Sequence, residues 1–304
     1  MKNIPSHDIH TYTDNKNKEQ HEDIEKILSM DKELQAVVNI IQETGKIVLK
    51  YYGWSNLDTK YKENEFDPVT QADMESETYI IEKIRENFPD DKILSEETEN
   101  DLTDFTWRVW MIDPLDGTKD FIEQGDAYSI MIWLCVDGIP TVWAVFTPST
   151  GNLYYAKKWR WCFFMNEITK KPPKKLQVTP IDKITEATCF SKSKFSEMRA
   201  SNQKIKETIP FKEIVDGGSL GVVMWAIAAG KGECYILTNH KSCKWDACAP
   251  QILVEEAGGM VTDIDWGPVD YLTGDKRLNN LLIATNGHIH QEVLEKIQGI
   301  FKKE

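Results

Sequence analysis

The sequence predicts a mixed fold of the α+β / α/β class, and three observations along the chain support this prediction. After a polar N-terminal segment, apolar residues recur every three or four positions, which is typical of amphipathic helices. Apolar strands joined by short turns then follow in the pattern of an antiparallel meander. The last third alternates short strands with helical patterns, which is typical of a layered α/β unit.

The helical first part begins after a polar segment. Residues 1–22 are rich in lysine and asparagine, and we expect them to form a disordered tail. Apolar residues within 24–52 lie at helical spacing, and Gly53 marks the end of that helical region. A second helix is predicted to begin near Thr70, which places Asp73 in its first turn.

The strands follow in one continuous series. Asp137-Gly138 joins two of them and predicts a tight hairpin turn. The basic, proline-rich segment 170–180 is the best candidate for a domain boundary. We therefore expect an N-terminal α+β domain over residues 23–169, which contains the antiparallel sheet, and a C-terminal α/β domain over residues 170–304.

Length and charge limit the possible functions. The chain has 304 residues, enough for one large domain or two closely packed ones. Its 36 basic and 49 acidic residues give a net charge of −13, which argues against a nucleic-acid polymer as partner. No apolar run reaches the roughly 20 residues that span a bilayer, and no signal-peptide pattern is present, so we expect a cytoplasmic protein without membrane contact. The sequence does not indicate an oligomeric state.

The cysteines argue against a zinc site. All six are scattered along the chain, without a C-x-x-C pair. We therefore expect reduced thiols, and neither a disulfide framework nor a structural zinc ion.

The segment "WMIDPLDGTKDF" carries the strongest chemical signal. Asp113 comes at the end of an apolar strand, which Pro114 is expected to terminate, and Asp116 follows three residues after Asp113. Gly117 and Thr118 then begin a helical turn whose backbone N–H groups suit a phosphate. By themselves these residues could equally form a capped turn, in which Asp116 only accepts hydrogen bonds from the backbone.

Three further acidic sites have equally ordinary interpretations when each is taken alone. Glu96 and Glu97 follow a short apolar strand, where a charged pair usually belongs to a solvated loop. Asp246 stands at the start of an apolar helix and could be its N-cap, and Asp73 could have the same role.

Together, "SEE", "DPLDGTKDF" and "WDACAPQILVEEAGG" resemble the three signatures of the lithium-sensitive, magnesium-dependent phosphomonoesterases, the inositol monophosphatase superfamily. The resemblance runs from about Asp67 to Gly287 in the family's order. It implies a layered αβαβα sandwich of the inositol monophosphatase type, with the active site between its two halves. Lys119-Asp120-Phe121 and "WDACAP" look more like the branch of 3'(2'),5'-bisphosphate nucleotidases than like the inositol branch.

The resemblance also implies a metal centre of two to three Mg²⁺ ions, with Li⁺ as an expected inhibitor. Most of the ligands would come from the N-terminal domain, and all would be hard oxygen donors of the kind that magnesium prefers. The implied metal ligands are Asp73, Glu96, Asp113, the carbonyl of Leu115, Asp116 and Asp246.

Catalytic and phosphate-binding roles follow from the same resemblance. Asp73 and Thr118 would activate a water for in-line attack on phosphorus, and Gly117 and Thr118 would bind the phosphoryl oxygens. A haloacid-dehalogenase-type phosphatase, in which the first aspartate is a nucleophile, is the rival class. Its motif is D-x-D-G-T, whereas this chain has D-x-x-D-G-T, so we expect no phosphoenzyme.

The substrate is expected to be a small phosphorylated metabolite, either 3'-phosphoadenosine 5'-phosphate or an inositol phosphate. The residues that resemble substrate-binding positions of the nucleotidases are Ser191, Ser193, Lys194, Gly218 and Ser219. The chain departs from that branch at Lys194, where histidine is usual, and near Gly221, where a lysine is expected. An inositol monophosphatase, an inositol polyphosphate 1-phosphatase and a non-catalytic metabolite-binding relative therefore remain alternatives.

Overall fold

The computed structural model describes residues 31–54, 59–61, 68–98, 106–191, 196–217, 220–238, 243–272, 278 and 281–302. The predicted tail, residues 1–22, lies outside these ranges. None of the described helices is long and apolar enough to cross a membrane.

Seven α-helices lie within the described ranges, and several begin or end where the sequence predicts. The helices are α1 (Lys32–Tyr51), α2 (Gln71–Asn87), α3 (Thr118–Ile122), α4 (Ser196–Thr208), α5 (Leu220–Ala228), α6 (Lys244–Glu256) and α7 (His290–Phe301). The Asp31 carboxylate caps α1 by accepting the Leu34 N–H at 3.1 Å. Gly53 follows the C-cap of α1 with φ of 84°, which confirms the predicted end of this helix.

The first large sheet is the predicted meander with one parallel strand added at its edge. A small hairpin of β1 (Thr59–Tyr61) and β2 (Pro68–Thr70) precedes it. The seven strands of the large sheet lie in chain order. Strands β3 and β4 are parallel, and all later pairs are antiparallel. They are β3 (Lys92–Ser95), β4 (Arg108–Asp116), β5 (Ser129–Val136), β6 (Ile139–Thr147), β7 (Asn152–Lys157), β8 (Trp161–Asn166) and β9 (Lys171–Lys175).

The β5–β6 turn confirms the predicted hairpin. Asp137 and Gly138 both have positive φ, 49° and 73°, as a two-residue hairpin turn requires. Val136 pairs with Ile139 across this turn.

The strand β9 begins directly after the predicted boundary at residue 170. It pairs with β8 at the edge of the first sheet, the position in which a sheet tolerates Pro172 and Pro173. The first sheet therefore extends to Lys175. The division into domains at residue 170 stays a prediction.

The second large sheet has five strands in the order β11-β10-β12-β14-β13. Strand β10 is parallel to both of its neighbours, whereas β14 is antiparallel to both of its own. These strands are β10 (Thr188–Ser191), β11 (Glu213–Asp216), β12 (Cys234–Leu237), β13 (Met260–Asp263) and β14 (Leu282–Thr285).

Three buried clusters show how the sheets and helices stack. One contains the apolar faces of α1 and α2 with one face of the first sheet. The second joins the other face of that sheet to α5, α6 and the second sheet, and the third contains the outer face of the second sheet with α4 and α7. The order of layers is therefore helix, sheet, helix, sheet, helix, which confirms the predicted αβαβα sandwich.

Candidate active site

Two carboxylates lie side by side where the pairing of the parallel strands β3 and β4 ends. Ser95 pairs with Ile112 in this register, so the next residues, Glu96 and Asp113, are neighbours. The Glu96 N–H donates to the Ile112 carbonyl at 3.2 Å. Asp113 is buried, with 2% of its surface exposed, and Glu96 is half-buried.

The expected end of β4 at Pro114 is wrong, because the strand continues to Asp116 through a bulge. Asp113 pairs with Met131 and Asp116 with Ser129, so two residues of β4 oppose one residue of β5. Proline has no N–H to give to the ladder, and the bulge removes the need for one. The Leu115 N–H donates instead to the Asp113 carboxylate at 3.1 Å.

A sharp turn follows Asp116. Gly117 has φ of 85° and forms the N-cap of α3, and a Cβ at this position would lie 2.7 Å from the Ala127 carbonyl oxygen. Only glycine fits this conformation and this close approach. The turn begins α3 at Thr118, as predicted, although the helix has only five residues.

The Thr118 hydroxyl connects this turn to α2. Its Oγ1 lies 3.1 Å from Asp73 Oδ1 and 3.0 Å from the Leu115 carbonyl oxygen, and both atoms are acceptors. Asp73 Oδ2 accepts the N–H and the hydroxyl of Thr70, which completes the capping box of α2. Asp73 is therefore both a helix cap and a neighbour of the "DPLDGTKDF" segment.

The Asp73 carboxyl has a raised pKa. Its pKa is raised to about 6, mainly by burial and in smaller part by the Glu96 charge, while hydrogen bonds from Thr70 and Thr118 oppose the rise. Asp73 is 0% exposed. Glu96 therefore lies close enough to Asp73 for the two carboxylates to interact electrostatically.

Two further polar residues, which the sequence motifs do not include, lie next to the predicted ones. Glu77, one turn after Asp73 on α2, is 4% exposed and accepts hydrogen bonds from the segment that follows Glu96. Ser129, opposite Asp116 in the ladder, donates its hydroxyl to Asp116 Oδ2 at 3.4 Å. The buried face of α2 carried a signal for Glu77, since polar side chains precede Ile80 and Ile84 along it.

Helix α5 approaches the site from the second half of the molecule. A Cβ added to Gly221 would lie 3.0 Å from Met131 Sδ, 3.3 Å from Ser129 Oγ and 3.5 Å from Asp116 Oδ2. The start of α5 therefore packs directly against the end of β4. Position 221 is glycine at a point where the nucleotidase branch leads one to expect a lysine nearby.

Several predicted site residues cannot be placed. Ser193, Lys194, Gly218 and Ser219 lie outside the described residues, and the side chain of Asp246, in the first turn of α6, does too. Ser191 ends β10 and is buried, and its hydroxyl has no hydrogen-bond partner among the described residues.

The donor chemistry of the site fits magnesium. Among the described residues, no three Asp, Glu, His or Cys side chains are grouped closely enough to hold a metal ion. The predicted ligands that can be placed are carboxylates and one backbone carbonyl, which are hard oxygen donors without a thiolate or imidazole. Glu96 and Asp113 directly follow the last residue pair of β3 and β4, where ligands from two elements can converge on one ion.

Two mixed sheets between three helical layers, with carboxylates at the strand ends of the first sheet, define a layered α/β protein with an acidic candidate site. Residues 29–301 match the family model described as "Inositol monophosphatase family". The chain belongs to the inositol monophosphatase family, whose members generally depend on Mg²⁺, and it is a phosphatase of that superfamily.

Relatives of similar identity carry different substrate names. The chain is 29% identical over 248 residues to an inositol-1-monophosphatase of Bacillus subtilis, an alignment that covers 79% of this chain and 87% of the relative. It is 30% identical over 243 residues to a 3'(2'),5'-bisphosphate nucleotidase CysQ of Aggregatibacter actinomycetemcomitans, covering 78% and 87%. The solved structure of a Thermotoga maritima IMPase superposes with a TM-score of 0.75 at 24% identity, covering 90% of this chain and 99% of that one.

Proposed function

We propose that the chain is a Mg²⁺-dependent phosphomonoester hydrolase whose active site lies at the end of β4. The observation that carries this proposal is the contact of Thr118 Oγ1 with Asp73 Oδ1 at 3.1 Å, beside Asp113 and Asp116. A buried carboxylate that orients a hydroxyl next to further carboxylates suits general base chemistry on water.

The proposed ligands are oxygen donors from four separate segments. When bound, Mg²⁺ would neutralise their charge, lower the pKa of water and stabilise the leaving alkoxide. The set consists of Asp73, Glu96, Asp113, the Leu115 carbonyl, Asp116 and Asp246.

Thr118 and Asp73 would handle the proton of the attacking water. The Thr118 hydroxyl has one hydrogen, which points toward Asp73 or Leu115, so its remaining lone pairs can accept a hydrogen bond from water. Asp73, whose Oδ1 accepts the Thr118 hydroxyl, is then the proposed final acceptor for the proton. The backbone N–H groups of Gly117 and Thr118 would bind the phosphoryl oxygens.

For the substrate, we propose 3'-phosphoadenosine 5'-phosphate, which would yield AMP and phosphate. Support comes from the sequence "KDF" after the D-G-T motif, from "WDACAP", and from the nucleotidase relative at 30% identity. Ser191, Ser193, Lys194, Gly218 and Ser219 are the proposed contacts to the rest of this substrate.

An inositol phosphate is the second candidate substrate, and Gly221 favours it. The start of α5 packs against Asp116 and Ser129 with glycine, so this position supplies no cation for a second phosphate. A substrate with a single phosphate and a polar ring needs no such cation. The relative named as an inositol-1-monophosphatase is 29% identical, nearly the same as the nucleotidase relative.

A phosphate-release assay over a panel of esters tests both candidates. The panel contains 3'-phosphoadenosine 5'-phosphate, inositol 1-phosphate, inositol 1,4-bisphosphate and fructose 1,6-bisphosphate, each with Mg²⁺, with Mg²⁺ and Li⁺, and with EDTA. The highest kcat/KM for the nucleotide, with inhibition by Li⁺, supports the first candidate, and the highest value for inositol 1-phosphate supports the second. A purified chain that binds Mg²⁺ but releases no phosphate from any ester would instead be a non-catalytic metabolite-binding relative.

A further inference from the structure

Glu77 is a buried carboxylate that the proposed chemistry does not use. It lies on α2, four residues after Asp73, and only 4% of its surface is exposed. Its Oε1 accepts the N–H groups of Glu97 at 3.0 Å and Thr98 at 2.9 Å, and its Oε2 accepts the Thr98 hydroxyl at 2.5 Å. All of these donors belong to the short segment that directly follows Glu96.

Three hydrogen bonds explain how this carboxylate is tolerated inside the protein. A buried anion is strongly unfavourable unless donors replace its lost hydration, and hydrogen bonds to a charged group are the stronger kind. Removing the acceptor would leave two backbone N–H groups unsatisfied. The interaction therefore fixes the backbone of residues 97 and 98 to α2.

The same helix carries Asp73, so α2 contacts the site at two points. Asp73 accepts a hydrogen bond from the Thr118 hydroxyl of the "DPLDGTKDF" segment, and Glu77 accepts hydrogen bonds from the segment after β3. Glu96 lies between these contacts and close enough to Asp73 for its charge to act there. Like charges at these positions repel one another. The hydrogen bonds to Glu77 hold the segment after Glu96, in addition to the bond from the Glu96 N–H to the Ile112 carbonyl.

We propose that Glu77 is a positioning residue that holds Glu96 in place for binding the divalent cation. This inference rests on the proposed function, since it takes Glu96 as a metal ligand. In this role the side chain of Glu77 must be long enough to accept hydrogen bonds from the Glu97 and Thr98 N–H groups. Its negative charge matters less than its length.

Two conservative variants separate reach from charge. Glu77→Asp keeps the charge but shortens the side chain by one methylene, which withdraws the acceptors from the segment. Glu77→Gln keeps the length, so its Oε1 still accepts both N–H groups, and the Thr98 hydroxyl can accept from the new NH₂ group. Positioning predicts that Glu77→Asp is the damaging change, whereas a charge or ligand role predicts that Glu77→Gln is.

Mn²⁺ binding to the purified full-length protein, followed by electron paramagnetic resonance, is the main measurement. We expect Glu77→Asp to weaken Mn²⁺ binding about tenfold or more, the effect typical of residues that orient metal ligands, and Glu77→Gln to bind nearly as wild type does. Amide hydrogen exchange adds a second readout, in which the amides of Glu97 and Thr98 exchange faster in Glu77→Asp alone. Glu82→Asp, the same change on the exposed face of α2, should alter neither readout.

The outcomes distinguish this inference from the proposed function. Mn²⁺ binding that is unchanged in Glu77→Asp, or weakened more in Glu77→Gln, overturns the positioning role of Glu77. Neither result contradicts the proposed phosphatase function. The expected order of affinities without phosphate release by wild type supports Glu77 and contradicts the proposed function. Absence of Mn²⁺ binding by wild type contradicts both.

Discussion

The two carboxylate oxygens of Asp73 accept hydrogen bonds from two different parts of the structure. Oδ2 accepts from the Thr70 backbone and side chain and so closes the first turn of α2, while Oδ1 accepts from Thr118. A helix cap fixes the side chain that faces the site, so no separate support is needed for its orientation. The proposed proton acceptor is held by the same contacts that begin its helix.

Removal of the Thr118 hydroxyl tests the proton path. We expect Thr118→Ala to lower kcat by about a hundredfold to ten-thousandfold, since the attacking water loses its link to Asp73. Mn²⁺ binding should remain, because Thr118 contributes no metal ligand in the proposed set. The measurement is phosphate release at saturating Mg²⁺, beside Mn²⁺ binding to the same preparation.

Thr118→Ser is the matched control, because it restores a hydroxyl at the same position. Its kcat should lie much closer to wild type than that of Thr118→Ala. Full activity in Thr118→Ala would remove Thr118 from the proton path.

His290 makes the stability of the protein depend on pH. Its ring is 1% exposed, with Nε2 2.9 Å from Thr262 Oγ1 and Nδ1 3.0 Å from Thr285 Oγ1. Burial lowers its pKa from 6.5 to about 4, so between these values the unfolded chain binds more protons than the folded one. The free energy of unfolding should therefore decrease as the pH falls through this window, with a slope from His290 of at most about 1.4 kcal/mol per pH unit.

His290→Gln should reduce this slope. Urea unfolding of both proteins, at a series of pH values from about 6.5 to about 4, gives the two slopes, and the contributions of the carboxylates cancel in their difference. Equal slopes would show that His290 is not held neutral by its burial.

At the scale of single elements, the N-terminus of α2 links stability to the site. Thr70 is its N-cap, and its Oγ1 accepts the Ala72 N–H at 3.1 Å while donating to Asp73. Thr70→Ala should lower the free energy of unfolding by about 1 kcal/mol, as loss of a capping side chain typically does. Urea unfolding at pH values where Asp73 is ionised provides the measurement.

Thr78→Ala provides the control within the same helix. Thr78 is exposed in the interior of α2 and bonds only its own helix, at the Met74 carbonyl, so alanine should be neutral or slightly stabilising there. A loss of stability in Thr78→Ala equal to that in Thr70→Ala would show that capping by Thr70 contributes nothing.

Local sequence signals predicted most helices and strands, but they did not predict the bulge in β4. The hairpin at Asp137-Gly138 and the start of α2 at Thr70 follow from turn and cap chemistry that is visible in a few residues. The continuation of β4 past Pro114 depends on its pairing with Ser129 of β5, which no local pattern contains. The buried face of α2 indicated that Glu77 is buried, but its hydrogen-bond partners, Glu97 and Thr98, lie outside that helix and no local pattern contains them.

At the scale of the whole molecule, α5 and α6 join the two sheets into one core. Met224 of α5 is fully buried in a cluster that includes Trp133 of the first sheet and Leu237 of the second. A shared core favours a single cooperative unfolding transition, although the sequence predicts two domains that meet near residue 170. The far-ultraviolet circular dichroism and the tryptophan fluorescence should therefore report the same midpoint in urea.

Met224→Ala extends this test to the shared core. The substitution should lower the free energy of unfolding by about 2–5 kcal/mol and shift both signals together. Met74→Ala, at an exposed position of α2, should shift neither. Two separate transitions in wild type, with only one of them sensitive to Met224→Ala, would establish two independent folding units.

The layers and the acidic site follow from patterns along the chain, whereas the substrate does not. Helical and strand periodicity, with the family resemblance, predicts the five layers, and carboxylates at strand ends predict the site. Substrate contacts depend on how α5 meets β4, and the close approach of Gly221 to Asp116 becomes visible only when both halves are assembled.

The most direct test of the central claim is phosphate release by wild type and Asp113→Asn, with Mg²⁺ or with EDTA, on the preferred ester of the panel. We expect release by wild type that requires Mg²⁺, and loss of nearly all of it in Asp113→Asn, because Asp113 lies beside Glu96 where the pairing of β3 and β4 ends. Release that persists in EDTA, or an Asp113→Asn variant as active as wild type, would contradict a metal-dependent phosphatase site at the end of β4.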